Sequence, residues 1–295
     1  QSAAPEDGLE RKLGPFSLTN IVIANMIGAG IFTTSGLLMK DLRNPLLMLA
    51  LWGVAGVIAL CGALCYGELG AAIPRAGGEY AYLSRLFHPL LGFLSGWVSF
   101  FAGFSAPIAA SAIGFSEYLV RAFPGLLRLG IADPGLEAAA VPKILAILVI
   151  VVFTLLHMRG IELGARVQNY LTVLKISLIV GLVVAGFAFG RGNAEHLFQG
   201  EPFDFDFAGW KTIGLSLMWI MFAYSGWNAA GYLAGEVRDP ARTLPRSLLL
   251  GAGSVIVLYL ALNLVFAYAV PLADVGFENA ERVPQLAVEN LFGQG

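Results

Sequence analysis

The sequence predicts an all-α membrane protein whose first and sixth spans are broken near their middles. Three observations carry this. Of the 295 residues, 57% are apolar and only 13% charged, whereas soluble domains hold about 45–50% apolar and about 25% charged residues. The apolar residues gather in runs of about 18 to 30, enough at ~1.5 Å per residue to cross a hydrocarbon layer of ~30 Å. The first and the sixth of the runs then each carry a central interruption, at a depth where a membrane helix should be most regular.

From the N-terminus, the stretch Gln1–Gly14 is polar and mixed in charge, and the first apolar run is too long for the h-region of a cleavable signal peptide. Seven spans are expected, at Phe16–Met39, Pro45–Ala72, Pro89–Phe123, Val141–Met158, Val167–Gly190, Trp210–Ala234 and Ser247–Val270. An eighth begins near Val283 and has about a dozen residues by Gly295, too few to cross. The connectors Pro124–Ala140 and Arg191–Gly209 are ordinary loop material, so residues 1–295 read as one transmembrane domain. With the N-terminus in the cytoplasm, that side holds nine Lys and Arg and the other side eight. The positive-inside rule therefore gives only a narrow preference for that orientation.

Composition also excludes functions. A net charge of −2 gives no footprint for nucleic acid. Cys61 and Cys65 lie i, i+4 in one span, so they read as small packing residues, neither a disulfide nor a metal site. No H-x-x-x-H, paired intramembrane Asp or G-x-S-x-G occurs, so neither an enzyme nor a cofactor is expected. No charge ring or filter repeat suggests a channel. A seven-helix receptor is the distant alternative, but it has no use for two broken spans.

The breaks are Gly28-Ala29-Gly30 in span one and Ser225-Gly226-Trp227 in span six. Unwinding there leaves N–H groups free at the start of one half-helix and C=O groups free at the end of the other. Such backbone is tolerated at membrane depth only where it lines a cavity or is buried in protein. The N–H end suits a carboxylate and the C=O end an ammonium or a cation. A zwitterion needs both, a few ångströms apart. Broken helices paired in this way point to a transporter site.

Five stretches carry a resemblance: "IGAGIF", "YGELGAAIPRAGGEYAYL" (Tyr66–Leu83), "RVQNYLTVLKISLI" (Arg166–Ile179), "FAYSGWNAA" (Phe222–Ala230) and "GEVRDPARTLPRSL" (Gly235–Leu248). In this order they resemble the amino acid–polyamine–organocation (APC) superfamily permeases, across essentially the whole chain. The resemblance implies a LeuT-like fold of two five-helix inverted repeats, with helices 1 and 6 broken around a central site. Family members have about twelve spans; here the second repeat stops as its third helix begins, so the sequence reads as an N-terminal fragment.

By the family pattern, the amides of Ala29, Gly30 and Ile31, beside Gly28, would hold a substrate carboxylate. The carbonyls of Ile27, Phe222 and Ala223 would hold its ammonium. Phe222 would act as an aromatic gate, and Tyr224, Ser225 and Gly226 would shape the side-chain pocket. Lys175 lies nine residues beyond Arg166, roughly 13 Å along a helix. A lysine there costs about 2.5–3.5 kcal/mol to insert. Either it snorkels to the interface, or its ammonium takes freed carbonyls of span one, where a sodium ion sits in other transporters of this fold. Glu68, Arg75 and Glu79 read as a hinge and ion-pair network, with gating as the lesser alternative. The implied activity is sodium-independent secondary transport of neutral L-amino acids by alternating access in a plasma (bacterial inner) membrane. Proton coupling and exchange both stay open, and no partner subunit is evident. The alternative within the family is a cationic amino acid or polyamine exchanger.

Overall fold

The computed structural model describes residues 10–123, 125, 134–276 and 279–293. The N-terminal residues 1–9 and most of the connector Pro124–Ala140 therefore lie outside the described residues. The chain divides into two compact units, one of Gln1–Gly78 with Gln168–Gly295 and the other of Glu79–Val167.

The larger unit holds both broken spans. The first span is a pair of helices, α1 (Pro15–Met26) and α2 (Gly30–Leu42), bent by 41° at the break. α3 (Pro45–Ala72) starts where Asn44 accepts a hydrogen bond from the Leu47 amide at 3.0 Å and proline fills the first helical position. Its ends are those expected for span two. α8 (Ile161–Phe189) begins earlier than the expected Val167, and most of it belongs to this unit. α9 (Phe207–Ala223) is capped by the Asp206 carboxylate on the Gly209 amide. The short α10 (Ala229–Tyr232) comes after the second break. α11 (Pro240–Ala269) starts before the expected Ser247, so the charged stretch after span six already winds as helix. α12 (Val283–Phe292) is the start of the eighth span.

Small residues set the packing around the breaks. A Cβ on Gly67 of α3 would lie 2.9 Å from Pro245 Cα of α11, and one on Gly251 of α11 would lie 2.6 Å from Val22 of α1. α1 and α3 thus press closely on α11, in the way small residues permit in membrane helices. Between them lies a fully buried aromatic cluster of Trp52, Tyr224 and Tyr259, with ring centroids 5.2 to 5.6 Å apart.

The smaller unit contains α4 (Glu79–Leu86), α5 (Pro89–Val98), a π-helical segment Ser99–Ser105, α6 (Ala106–Ala122) and α7 (Pro134–Met158). His88, to which the sequence assigns no role, accepts the Leu90 amide on its Nδ1 and so caps α5. The expected single span Pro89–Phe123 is one apolar helical run with a π turn inside it. α4 lies in the connector between the expected second and third spans.

Among the described residues five helices are long and apolar enough to cross a membrane, and the bent pair α1–α2 makes a sixth. The 17-residue α9 is shorter because the break removes the rest of its span. The protein is an integral, multi-pass membrane protein.

Candidate substrate site at the two helix breaks

The break in span one results from where its backbone hydrogen bonds go. The Gly28 amide turns to Met26 O at 3.0 Å, so Ala24 O loses its helical donor. The amides of Ala29, Gly30 and Ile31 find no backbone carbonyl among the described residues. They are three of the four orphan donors that open α2. Gly28 and Ala29 are exposed, while Ile31 is buried.

The freed carbonyls have specific partners. Lys175 Nζ on α8 donates to Ile27 O at 2.7 Å and to Ala24 O at 3.4 Å. A half-buried ammonium thus meets two carbonyls that the break would otherwise leave bare. The side chain reaches the break and does not snorkel away from it. The Tyr259 hydroxyl on α11 lies 2.7 Å from Met26 O and 3.3 Å from Ala223 O.

Span six breaks after α9. The Ser225 amide and hydroxyl both donate to Phe222 O, at 3.1 and 2.6 Å. Gly226 then adopts φ +107°, from which the chain re-enters short turns. The two breaks abut. A Cβ on Gly226 would lie 2.5 Å from Asn25 O, and one on Gly30 would lie 3.3 Å from Ala223 Cα. Glycine is required at Gly226 both by its dihedral angle and by this approach.

The structure therefore brings Ile27, Gly28, Ala29, Gly30 and Ile31 together with Phe222, Ala223, Tyr224, Ser225 and Gly226, with Lys175 beside them. Each of the three carbonyls expected to face an ammonium already has a protein donor close by: Lys175 at Ile27, Ser225 at Phe222 and Tyr259 at Ala223. A carbonyl has two lone pairs, so each can share. Phe222 is 59% exposed. Tyr224 is fully buried, and its hydroxyl donates to Trp52 O at 3.3 Å.

Glu68, Arg75 and Glu79 are not gathered at the breaks. Glu68 is exposed on α3, and Arg75 and Glu79 fall in different units. The turn just after Arg75 is docked. Its Gly77 amide donates to Tyr232 O at 3.2 Å, and Gly78, at φ +52°, lies against the Tyr232 ring.

Three features have no signal in the sequence. Tyr259 is the first. The second is a parallel bridge in which Leu13 N donates to Glu236 O and Arg238 N to Leu13 O, both at 2.9 Å. It ties the chain before α1 to the loop after span six. The third is Arg43, held in the left-handed region at φ 48°. Its guanidinium meets Glu201 at 2.8 Å and the carbonyls of Leu272 and Val275 at 3.3 and 3.4 Å.

An all-helical unit with two abutting broken spans, one offering amides and both offering carbonyls, is the arrangement the sequence led one to expect around a central site. Residues 13–295 match the amino acid permease family, and the chain belongs to it. It is 31% identical over 263 residues to the b(0,+)-type amino acid transporter 1 of Mus musculus, covering 88% of this chain and 51% of that protein. It is 33% identical over 262 residues to solute carrier family 7 member 13 of Mus musculus, covering 88% and 53%. With the large neutral amino acids transporter small subunit 2 of Oryctolagus cuniculus the identity is 29% over 278 residues, covering 93% and 50%. The chain spans about half the length of the curated relatives it matches.

Proposed function

We propose that this chain forms the substrate-binding half of a sodium-independent secondary transporter that carries neutral L-amino acids by alternating access. The observation that carries the reading is the amide run Ala29-Gly30-Ile31, which has no backbone acceptor among the described residues and opens a half-helix beside the carbonyl ends of α1 and α9. A carboxylate satisfies the amides with the help of the half-helix dipole. The ammonium of the same molecule goes to the Ala223 carbonyl, shared with those of Phe222 and Ile27. Phe222 covers the substrate, and Tyr224, Ser225 and Gly226 bound its side chain.

Lys175 supplies the positive charge at Ile27 O and Ala24 O, which supports transport without sodium and a coupling role for this lysine. No Asp or Glu occurs in residues 16–39 or 207–234, so these segments offer no counter-charge to a cationic side chain. This favours neutral substrates over the cationic alternative. The protein works in a plasma (bacterial inner) membrane with its N-terminus in the cytoplasm. Cys61 and Cys65 both lie on α3, and no partner subunit is evident.

The test is uptake of radiolabelled alanine and leucine into proteoliposomes of the full-length protein, with and without a proton gradient, sodium and internal amino acid. Gradient-driven accumulation indifferent to sodium supports symport, and uptake only against internal amino acid supports exchange. Silence under every condition overturns the reading.

A further inference from the structure

We infer that the start of α11 holds an anionic phospholipid, its phosphate on Arg242 and Arg246 and an acyl chain along the apolar stripe beside them. α11 is one of the helices long and apolar enough to cross a membrane. Its first turns carry a charged stretch that the substrate site does not use. The lipid lies on a face with no part in amino acid binding, so its presence does not depend on what the protein carries.

Two sides of α11 are covered. Against α3, a Cβ on Gly56 would lie 3.0 Å from Ile256 and one on Gly67 would lie 2.9 Å from Pro245. Against α1, a Cβ on Gly251 would lie 2.6 Å from Val22. Residues three, four or seven apart share a helix face. By that spacing Arg242, Arg246, Leu249, Leu250, Gly253 and Val257 fall together on the remaining arc. Both arginines, both leucines and Val257 are exposed. A Cβ on Gly253 would meet nothing within 4 Å, so the stripe carries a notch between Leu250 and Val257.

The charges on this arc are uncompensated. Neither guanidinium has an ion-pair or hydrogen-bond partner among the described residues. Asp239, just before the helix, and Glu68, on the neighbouring α3, pair with neither. Like charges at i and i+4 repel, and Arg242 stands in the first turn, where the helix end is itself positive. A phosphate relieves both penalties, and the planar fork of arginine suits its oxygens.

The stripe selects a lipid over a free phosphate. Val257 is eleven residues beyond Arg246, about 16 Å along the helix, close to half of a hydrocarbon layer of ~30 Å. It lies two residues before Tyr259, which touches the break in span one. The stripe thus runs from the membrane surface towards its middle, the reach of one leaflet.

The test uses the full-length protein in mixed micelles of dioleoylphosphatidylglycerol and dioleoylphosphatidylcholine, with retained lipid counted by native mass spectrometry. The parent should retain phosphatidylglycerol in preference to phosphatidylcholine. Arg242→Gln and Arg246→Gln should each reduce that preference by about fivefold, the worth of one basic residue at a membrane surface. Lys211→Gln removes an equal charge from the exposed start of α9. It should change the preference by less than about twofold, the scale of a surface substitution. Glycerol phosphate at millimolar concentration should not displace the lipid, because it lacks the acyl chain. No preference in the parent, equal loss from Lys211→Gln, full preference in both arginine variants, or displacement by glycerol phosphate would each overturn the inference. Should the glutamine variants fail to fold, Gly253→Trp fills the notch at a position with open space. It should lower the retained phosphatidylglycerol, and unchanged retention overturns the inference.

Discussion

Gly226→Ala should be among the most damaging single-methyl additions in the chain, and its cost can be worked out from two independent terms. Gly226 sits at φ +107°, where an L-residue costs on the order of 1–3 kcal/mol. The new Cβ would also stand 2.5 Å from Asn25 O, 2.7 Å from Asn25 C and 3.1 Å from Met26 N. All three are backbone atoms and cannot rotate aside, so the two breaks must part. Overpacking of this kind adds about 1–3 kcal/mol. Together the terms come to roughly 2–6 kcal/mol, or a fall in melting temperature of roughly 5–20 °C. Gly28→Ala is the internal control, since its Cβ meets nothing within 4 Å and its φ is not in the left-handed region. That change should cost no more than ~0.5 kcal/mol. Thermal melts of the full-length protein followed by size-exclusion chromatography would compare the two. If Gly226→Ala melts within about 2 °C of the parent, or Gly28→Ala falls as far, the reasoning about abutting breaks is wrong.

Three further outcomes are expected. Lys175→Ala leaves Ile27 O and Ala24 O without their donor. It should destabilise the protein by about 1.5–3 kcal/mol and abolish gradient-driven uptake, checked by melts and by uptake into proteoliposomes. Arg43→Gly should be more stable than Arg43→Ala by about 1 kcal/mol, because both lose the exposed Glu201 pair but only glycine relieves φ 48°; paired melts decide this. Burial pushes the Glu236 carboxyl above its ordinary value of 4.5. Its charged form is therefore the disfavoured one in the fold, so stability declines as pH rises past the ordinary value and is unaffected well below it. Glu236→Gln should accordingly raise the melting temperature slightly at pH 7 and leave it unchanged at pH 4.

The parts of this fold that are legible in the sequence are those set by local chemistry. The ends of α3 can be read from an apolar run of the right length. Both breaks can be read because a glycine pair, or Ser225-Gly226, is costly inside a membrane helix and needs a reason. Lys175 stands out because a lone charge in a span needs one too. What cannot be read depends on pairings distant in sequence. Nothing in "VLYLALNLV" distinguishes Tyr259 from an ordinary packing aromatic, since its partners Met26 and Ala223 lie far away in the chain. The Leu13–Val237 bridge is invisible for the same reason. α4 is short and polar, so neither span length nor apolarity marks it. The donors already on Ile27, Phe222 and Ala223 are hidden because side-chain reach, rather than motif, supplies them.

The most direct measurement is an experimental structure of the full-length protein with a neutral L-amino acid bound. The account predicts the carboxylate about 2.7–3.2 Å from the amides of Ala29, Gly30 and Ile31. It also predicts the ammonium against Ala223 O, with Tyr259 still on Met26 O. A ligand seated away from the two breaks, or one at the breaks with its ends reversed, would contradict it.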